Sequence, residues 1–360
     1  MILAIETSCD DSAVALLNSS GEVIVSQISS QTDLHKKYGG IVPEIASRRH
    51  LTTLPLLLRS LLESQDLNFE DLQAIAVTYA PGLIGSLLVG VSYAKTLAWM
   101  LDIPVIPIDH LEGHLLAPFL DNKEIRFPYL ALIASGGHTH LIHARNLGDY
   151  KLLGRTMDDA AGEAYDKVAK MLGFQYPGGP LIEKLAACCP EPTITFPVPL
   201  KGKKTMNFSF SGLKTAVRNE AMRQKVYIEG QRLMTFDEYL KIPDMDRKER
   251  IANIAASFQK IMTVIITERM VDALKKTRLK QLALTGGVAA NTGLRASLVQ
   301  MAAGKGVEVF FPEVGNCTDN AAMIGYTAVQ YLNTGKTDFE PVLRLNASSK
   351  SPIGLMNVQD

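Results

Sequence analysis

The order of secondary structure predicted for this chain repeats once along its length. Apolar runs and apolar residues at helical spacing predict, in each half, three strands, a helix, a strand, a glycine-rich turn into a helix, a strand and a last helix. Hairpin-joined strands extended by parallel crossovers form a mixed sheet with helices on its faces. We therefore expect an α/β protein of two duplicated domains facing a cleft, 1–128 and 129–332, with part of 319–345 as an alternative completion of the first.

The predicted strands lie at 2–6, 13–18, 23–28, 74–79, 103–108, 129–134, 140–145, 150–153, 281–285 and 307–311. Longer helices are predicted at 43–64, 86–101, 157–172, 180–188, 250–275, 291–303 and 319–332. Two stretches fall outside the repeat. Residues 221–250 are rich in charge and predict a solvated helical insert, and residues 335–360 predict a tail with at most one strand, at 341–345.

Two histidines, His110 and His114, follow the predicted strand 103–108 and lie one helical turn apart. Asp109 is placed to cap their helix and Pro118 to end it. Two imidazoles on one helix face can share a metal ion, although such a pair is also common on a surface or in a core. A zinc metalloprotease would need Glu directly after the first histidine, and Leu111 stands there.

Asp319 is our candidate for a third metal ligand. It begins the last helix of the second repeat, as His110 and His114 begin the last helix of the first. Ligands bind where loops converge at the strand ends of α/β sheets. The repeat therefore predicts that the three side chains meet across the cleft.

Glycine-rich segments follow two of the predicted strands. In residues 135–139 the glycines allow backbone N–H groups to approach an anion, although an ordinary hairpin turn has the same composition. Residues 285–291 lie between a strand and a helix, where a helix N-terminus favours phosphate and Asn291 can hydrogen-bond a flat ring. Residues 176–180 line the same pocket or form a plain turn between helices.

An acidic stretch with either a binding or a solvated role follows the third strand of the second repeat. Asp159, Glu163 and Asp166 are spaced to share one helix face, where they repel each other unless a cation or ligand hydroxyl is bound. Residues 207–214 contain two aromatic side chains, two hydroxyls and a lysine, and predict either a phosphate or base contact or a strand-to-helix junction.

Composition excludes nucleic-acid binding by bulk charge, because 37 Lys and Arg balance 37 Asp and Glu. The 4 cysteines have no spacing typical of a disulfide framework or a zinc ribbon, so we expect a reducing cytoplasm. We see no targeting peptide, since Ile2 already begins a strand. No apolar run of membrane-spanning length is expected, because the longest candidates contain Lys95 or Arg59.

Ten short motifs occur in one order, at residues 5–10, 39–44, 81–83, 110–114, 135–139, 158–163, 176–180, 208–214, 286–291 and 317–320. Over residues 1–332 the chain thereby resembles the bacterial tRNA adenosine threonylcarbamoyltransferase family, once described as sialoglycoprotein endopeptidases. The resemblance implies two duplicated actin-like domains of the actin, chaperone-ATPase and hexokinase superfamily. It also implies transfer of a threonylcarbamoyl group from threonylcarbamoyl-adenylate to the exocyclic amine of the adenosine next to the anticodon, in tRNAs that read codons beginning with A.

By the same resemblance, His110, His114 and Asp319 would hold one divalent metal ion, iron or zinc. The substrate would be bound by residues of two groups: Ile133, Ala134, Ser135, Gly136 and Gly137 around phosphate and carbonyl oxygens, and Asp166, Gly179, Glu183 and Asn291 around the nucleoside. A base for the weakly nucleophilic amine stays unassigned, with Glu112 and Glu6 as candidates.

The family resemblance also implies partners. These are tRNA, an inactive paralogue that forms a heterodimer with the enzyme, and a small P-loop ATPase, with no membrane. Candidate contacts to tRNA phosphates are Lys201, Lys203 and Lys204, together with Arg48, Arg49 and His50.

Two other functions fit parts of the pattern. An ATP-dependent kinase of the same superfamily would use the same fold and glycine-rich loops, but has no need of a His-His-Asp metal site. A non-catalytic scaffold paralogue would lack the metal ligands, and this chain contains all three.

Overall fold

The computed structural model describes residues 1–227, 230, 232–335 and 342–351, which form two compact units. The first contains Met1–Phe127, Ala144–Lys151 and the described residues from Pro312 on. The second contains Pro128–His143 and Leu152–Phe311. Residues 312–332 belong to the first unit. We had predicted them in the second domain, with part of 319–345 as an alternative completion of the first.

The sheet of the first unit has the strand order β3-β2-β1-β4-β5. Strand β1 pairs antiparallel with β2, which pairs antiparallel with β3, while β1, β4 and β5 run parallel. The strands are β1 (Ile2–Glu6), β2 (Asp11–Leu17), β3 (Val23–Ser30), β4 (Ala74–Ala80) and β5 (Val105–Asp109). β1 is buried throughout, whereas β3 alternates between half-buried and exposed residues, as an edge strand does.

Helices cover the two faces of this sheet. One face packs against α2 and α3 through a core that includes Leu58, Leu61 and Val91, and the other against the last helix through Ala321, Met323 and others. The helices are α1 (Thr32–Lys36), α2 (Pro43–Glu63), α3 (Ile84–Leu101) and α4 (His110–Asp121), and later in the chain α11 (Val314–Cys317) and α12 (Ala321–Asn333).

The second sheet has the order β10-β9-β6-β7-β8, which is the order of the first when each strand is replaced by its counterpart in the repeat. Its strands are β6 (Tyr129–Ala134), β7 (Thr139–Asn146), β8 (Asp149–Arg155), β9 (Gln281–Thr285) and β10 (Glu308–Phe310). Its helices are α5 (Ala161–Met171), α6 (Gly178–Ala187), α7 (Ser211–Arg223), α8 (Phe236–Leu240), α9 (Met245–Thr277) and α10 (Thr292–Ala302). The predicted duplicated α/β fold is confirmed.

Three local predictions were wrong. Pro118 does not end α4, which continues to Asp121, because a proline in the last turns displaces only one backbone hydrogen bond. Asp159 precedes α5 and is not on its face. The helical and solvated character predicted for residues 221–250 is confirmed where they are described, because they comprise the end of α7, α8 and the start of α9 and are largely exposed or half-buried. Residues 342–345 form turns and no strand, while 341 lies outside the described residues.

Helix α3 was also misjudged. It is the one helix among the described residues that is long and apolar enough to cross a membrane, with a mean hydropathy of 1.4 over 18 residues. Lys95 is its only charged residue, and a single lysine does not offset the rest. In this unit α3 packs through Leu87, Val91, Ala94 and Ala98 against the sheet and α2, and its other face is half-buried or exposed.

Candidate functional site

The strand β5 runs directly into α4, and this junction places the two histidines. Asp109 caps the helix by accepting hydrogen bonds from the N–H groups of Leu111 (2.8 Å) and Glu112 (3.3 Å). His110 and His114 follow on one face, with ring centroids 4.7 Å apart and planes at 84°. Both rings are buried.

Two glycines allow α12 to approach this helix and the sheet. A Cβ on Gly113, between the two histidines, would lie 2.8 Å from Cδ1 of Ile324. A Cβ on Gly325 would overlap Cδ1 of Leu17 and lie 3.0 Å from Cβ of Ala4. This packing brings the N-terminus of α12, and with it Asp319, to the histidines.

His110, His114 and Asp319 meet inside the first unit. Oδ1 of Asp319 lies 3.1 Å from Nε2 of His114 and 3.5 Å from Nε2 of His110. One ligand atom from each residue lies within 4.8 Å of the other two. The residues are those expected, but the reason given for Asp319 was wrong: α12 belongs to the same unit as the histidines, so the contact is not made between the two repeats.

The side chain of Glu6, at the end of β1, contacts the Nδ1 atom of His110. Nδ1 of His110 lies 3.0 Å from Oε2 of Glu6 and 3.1 Å from Oγ of Ser8. The carboxylate is fully buried and also accepts hydrogen bonds from the Ser8 N–H group and the Thr78 hydroxyl. Burial works against the charged form of His110, but Asp319 and Glu6 outweigh it and raise the pKa of His110 to about 9. Burial lowers the pKa of His114.

The donor set fits a divalent transition metal. Two imidazoles and one carboxylate are the ligands of non-haem iron sites, and zinc accepts the same atoms. The Nδ1 atom of His110 donates to Glu6 when its Nε2 is turned to a metal, as metal-binding histidines commonly do. Nδ1 of His114 is buried without a hydrogen bond from any residue in the described ranges.

Neither glutamate proposed as a base is placed for that role by its contacts. Glu6 is committed to His110, Ser8 and Thr78. Glu112 is buried, and its Oε1 accepts hydrogen bonds from the hydroxyls of Tyr150 (2.8 Å) and Tyr331 (2.6 Å). These contacts suit structural roles, and the base stays unassigned.

The predicted substrate loop lies in the second unit, at the end of β6. Ile133 and Ala134 are the last residues of the strand, and the loop closes through a hydrogen bond of 2.8 Å from the Ser135 N–H to the His138 carbonyl. Side chains added at Gly136 and Gly137 would meet no described atom within 4 Å. Packing within the protein therefore does not require glycine at these two positions. The absent side chains leave open space beside the loop backbone.

Two further glycines pack against this loop. Gly286 has a φ of +87°, and a Cβ there would lie 2.5 Å from the Ala134 carbonyl oxygen. The Gly162 N–H donates to the Ser135 carbonyl, and a Cβ on Gly162 would lie 2.7 Å from that oxygen. The beginning of α5 and the turn after β9 therefore meet at the end of β6.

The predicted nucleoside residues belong to three helices of the same unit: Asp166 lies within α5, Gly179 and Glu183 lie on α6, and Asn291 caps α10. Asp166 accepts a hydrogen bond of 2.7 Å from the Gly178 N–H, beside Gly179, where an added Cβ would meet nothing within 4 Å. Glu183 accepts hydrogen bonds from the N–H and hydroxyl of Thr292, next to Asn291. These hydrogen bonds therefore place Asp166 next to Gly179 and Glu183 next to Asn291.

Asn291 is already engaged by the protein. Its Oδ1 accepts hydrogen bonds from the Leu294 N–H, which caps α10, and from Nε2 of Gln259 (2.7 Å). Its Nδ2 donates to Oε1 of Gln259 at 3.2 Å. A ring bound here would have to share Asn291 with Gln259.

The acidic stretch is neutralised within the chain. Asp159 pairs with Lys167 (2.7 Å) and Lys214 (2.6 Å), and Lys167 also pairs with Glu163. Asp158 accepts hydrogen bonds from Ser209, Phe210 and Ser211 at the start of α7. Within residues 207–214, Phe208 forms an isolated β-bridge with Thr156 and Ser211 begins α7, while a phosphate or base contact stays a prediction.

Sequence reasoning missed three residues: Ser8, Thr78 and Gln259. They contact Glu6, His110 and Asn291 through pairings that join positions far apart in the chain. Only the motif 5–10 contained a signal for any of them, through Ser8.

Known proteins similar to this chain match it over nearly their whole length. A family model described as tRNA N6-adenosine threonylcarbamoyltransferase matches residues 22–326. The tRNA N6-adenosine threonylcarbamoyltransferase of Syntrophotalea carbinolica is 43% identical over 353 residues, covering 98% of this chain and 97% of that protein. The protein of the same name from Clostridioides difficile is 42% identical over 335 residues, or 93% and 94% of the two chains.

This chain belongs to the tRNA N6-adenosine threonylcarbamoyltransferase family. It is a transferase that modifies an adenosine of tRNA at N6 with a threonylcarbamoyl group.

Solved structures with low sequence identity share the fold. Component A of the (R)-2-hydroxyglutaryl-CoA dehydratase of Acidaminococcus fermentans aligns with a TM-score of 0.51 at 15% identity, over 93% of this chain and 99% of that one. Full-length HypF aligns with a TM-score of 0.56 at 14% identity, over 94% of this chain and 47% of that one. At these identities the likeness concerns the fold alone.

Proposed function

We propose that the threonylcarbamoyl group comes from threonylcarbamoyl-adenylate and that one divalent metal ion, iron or zinc, assists its transfer. The observation that carries this proposal is the convergence of His110, His114 and Asp319. The acceptor is the exocyclic amine of the adenosine next to the anticodon, in tRNAs that read codons beginning with A. The N6–carbonyl bond forms, the bond from that carbonyl carbon to phosphate oxygen breaks, AMP leaves, and N6 loses a proton.

In this proposal four side chains of the first unit have separate tasks. His110 and His114 present Nε2, and Asp319 presents a carboxylate oxygen. Glu6 fixes the tautomer and orientation of His110 by accepting its Nδ1–H. When bound, the ion supplies Lewis acidity toward a carbonyl or phosphate oxygen of the substrate.

The second unit would bind the adenylate. Ser135, Gly136 and Gly137 would lie around phosphate and carbonyl oxygens, with the backbone N–H groups of Gly136 and Gly137 as donors and with Ile133 and Ala134 supporting them at the strand end. Asp166, Gly179, Glu183 and Asn291 would surround the nucleoside. The open space at Gly136, Gly137 and Gly179 supports this assignment.

An apolar groove between α2 and α3 is a candidate binding site for a protein partner. Its volume is about 590 Å³, and it is lined by residues of both helices, including Leu51, Leu54, Leu88, Leu97 and Met100. Met100 is 67% exposed, and Trp99 beside it 71%. Apolar residues gathered at a surface mark interaction sites. We propose that the inactive paralogue binds here as a heterodimer.

A test of the groove is co-purification with the paralogue. Leu88→Glu should abolish the complex, because it places a charge in an apolar interface, whereas Val299→Glu on α10 should leave it intact. Equal binding by both variants would contradict the groove as the interface.

The remaining partners and the location are proposals of the same kind. The small P-loop ATPase follows from the family resemblance. A cytoplasmic location is supported by the tRNA substrate and by four cysteines that are free in the described residues.

The reaction is tested by transfer of threonine label from the adenylate to unmodified tRNA, with partner proteins present. The intact chain should label adenosine, and His110→Ala and Asp319→Asn should lower the rate at least about 100-fold and lose bound metal. Gly136→Ala should raise the KM for the adenylate without changing thermal stability, because its Cβ enters open space.

Three outcomes would contradict the proposal. Transfer by His110→Ala or Asp319→Asn at the normal rate would make the metal site structural. Unchanged KM in Gly136→Ala would remove the loop from the adenylate site. No label with the intact chain would favour a kinase, which ATP consumption would then reveal.

A further inference from the structure

Three lysines without partners lie on one tight turn of the second unit, Leu200–Lys204, which we call the lysine turn. Lys201, Lys203 and Lys204 are all exposed. Within the described part of the chain, none of their ammonium groups pairs with an acidic side chain or donates a side-chain hydrogen bond. Lys167 and Lys214 of the same unit, by contrast, are both paired with Asp159.

The lysine turn has a fixed backbone. The Lys203 N–H donates to the Leu200 carbonyl at 3.2 Å, and both Leu200 (φ +56°) and Gly202 (φ +76°) are left-handed. A left-handed backbone is unfavourable for leucine, because its Cβ comes too close to the following carbonyl oxygen. It is held by Arg269, a buried guanidinium that donates to the Leu200 carbonyl at 2.9 Å. A buried cation is thus committed to shaping this turn.

The turn lies at the end of the sheet that carries the glycine loop 135–138. Three residues after Lys204, Asn207 accepts from the Arg155 N–H, and the Phe208 N–H donates to the Arg155 carbonyl, at the end of β8. The next residue, Thr156, donates to the carbonyl of Thr139, the first residue of β7. Three extended residues span about 10 Å, so the lysines stay near this end of the sheet.

We propose that the lysine turn binds backbone phosphates of the tRNA substrate. Unpaired ammonium groups on a rigid exposed turn are suited to phosphate without base specificity. Two of the other sequence candidates are less suited. Arg48 pairs with Glu44 at 2.7 Å, and His50 is buried between Ser12 and the Cys9 carbonyl. The inference rests on tRNA as the family's substrate, and it names the part of this chain that contacts it.

Binding of unmodified tRNA to the full chain at several salt concentrations tests this. In the triple variant Lys201→Gln, Lys203→Gln, Lys204→Gln, we expect affinity to fall at least about 10-fold near physiological salt. The slope of log K against log salt should fall by about 2–3, because each lost phosphate contact removes about 0.7–0.9 from it. The matched control Lys275→Gln, Lys276→Gln, Lys280→Gln removes the same charge from exposed positions at the end of α9 and just beyond it, and should change affinity less than 2-fold.

Label transfer with the partner proteins distinguishes the possible sources of phosphate. We expect the lysine-turn variant to raise the KM for tRNA and to leave the KM for threonylcarbamoyl-adenylate and the rate at saturating tRNA unchanged. A raised KM for the adenylate instead would assign the lysines to the small substrate and overturn the inference. Equal losses in both triple variants, or no loss in either, would also overturn it. Failure of the intact chain to transfer label would instead count against the proposed reaction, since tRNA binding is measured separately.

Discussion

At the residue scale, the most informative contact is between Glu6 and His110. Glu6 is buried with no exposed surface, and an isolated carboxylate there would be strongly unfavourable. The neighbouring His110 lowers the pKa of Glu6 below its ordinary value although burial alone would raise it. A charged carboxylate that accepts a hydrogen bond from Nδ1 of a histidine orients the ring so that Nε2 can bind a metal.

Glu6→Gln should weaken metal binding about 10–100-fold, because the amide is a weaker acceptor for the Nδ1–H group. The measurement is metal retained against a competing chelator. Glu112→Gln is the control, since Oε1 of Glu112 accepts hydrogen bonds from two tyrosine hydroxyls. Equal retention by intact chain and Glu6→Gln would contradict the orienting role.

His140 predicts a pH dependence of stability. Burial, and then Arg155, lower its pKa to about 4, below the unfolded value of 6.5. The folded state therefore binds fewer protons than the unfolded state between these values, and stability is lost as the pH falls from about 6.5 toward 4. Relative to the intact chain, His140→Phe should gain about 1–3 kcal/mol in free energy of unfolding on going from pH 7 to pH 4.5. Denaturant titrations at both pH values measure it, and parallel curves would contradict it.

At the element scale, the proposed metal site depends on how closely α12 packs. Gly113 on α4 and Gly325 on α12 each occupy a position where a methyl group has no room. The Asn320 side chain caps α12 by accepting from the Met323 N–H at 2.9 Å, immediately after Asp319. Helix position and ligand position are thus set by the same few residues.

Gly325→Ala should destabilise the protein by about 1–3 kcal/mol, because its Cβ would overlap Leu17 and press on Ala4 in the core. It should also reduce metal binding by moving Asp319. The matched control is Gly212→Ala on α7, where a Cβ meets nothing within 4 Å. That change should be neutral or stabilising by up to about 1 kcal/mol. Thermal unfolding and metal content of both variants test this, and two stable variants would contradict the packing argument.

At the scale of the whole molecule, the described C-terminal segment 342–351 belongs to the fold. Lys95 donates to the carbonyls of Leu343 and Leu345, and the Ser348 N–H donates to the Tyr79 carbonyl. The Ser351 hydroxyl donates at 2.5 Å to Oδ2 of Asp109, the residue that caps the histidine helix. The segment predicted as a tail therefore supports the start of α4.

A chain that ends at Gly335 should lose about 2–5 kcal/mol of stability, from the burial of Leu345 and several hydrogen bonds. Ser351→Ala in the full chain should cost about 1–2 kcal/mol, since it leaves an oxygen of buried Asp109 unpaired. Chemical denaturation of both chains measures these losses. Unchanged stability after truncation would show that the segment contributes nothing.

The sequence alone determined the repeat, the mixed sheets and the cap at Asp109, because strand periodicity and capping are local properties of neighbouring residues. It also identified His110 and His114 as a pair, because residues one helical turn apart lie on the same helix face. Only the tertiary structure decided that Asp319 reaches them from α12 within the first unit, and that Glu6 and Gln259 engage His110 and Asn291. Those contacts join residues up to 205 positions apart. They depend on which face of the sheet each helix covers and on where a glycine allows a helix to approach. No local sequence pattern specifies these two features.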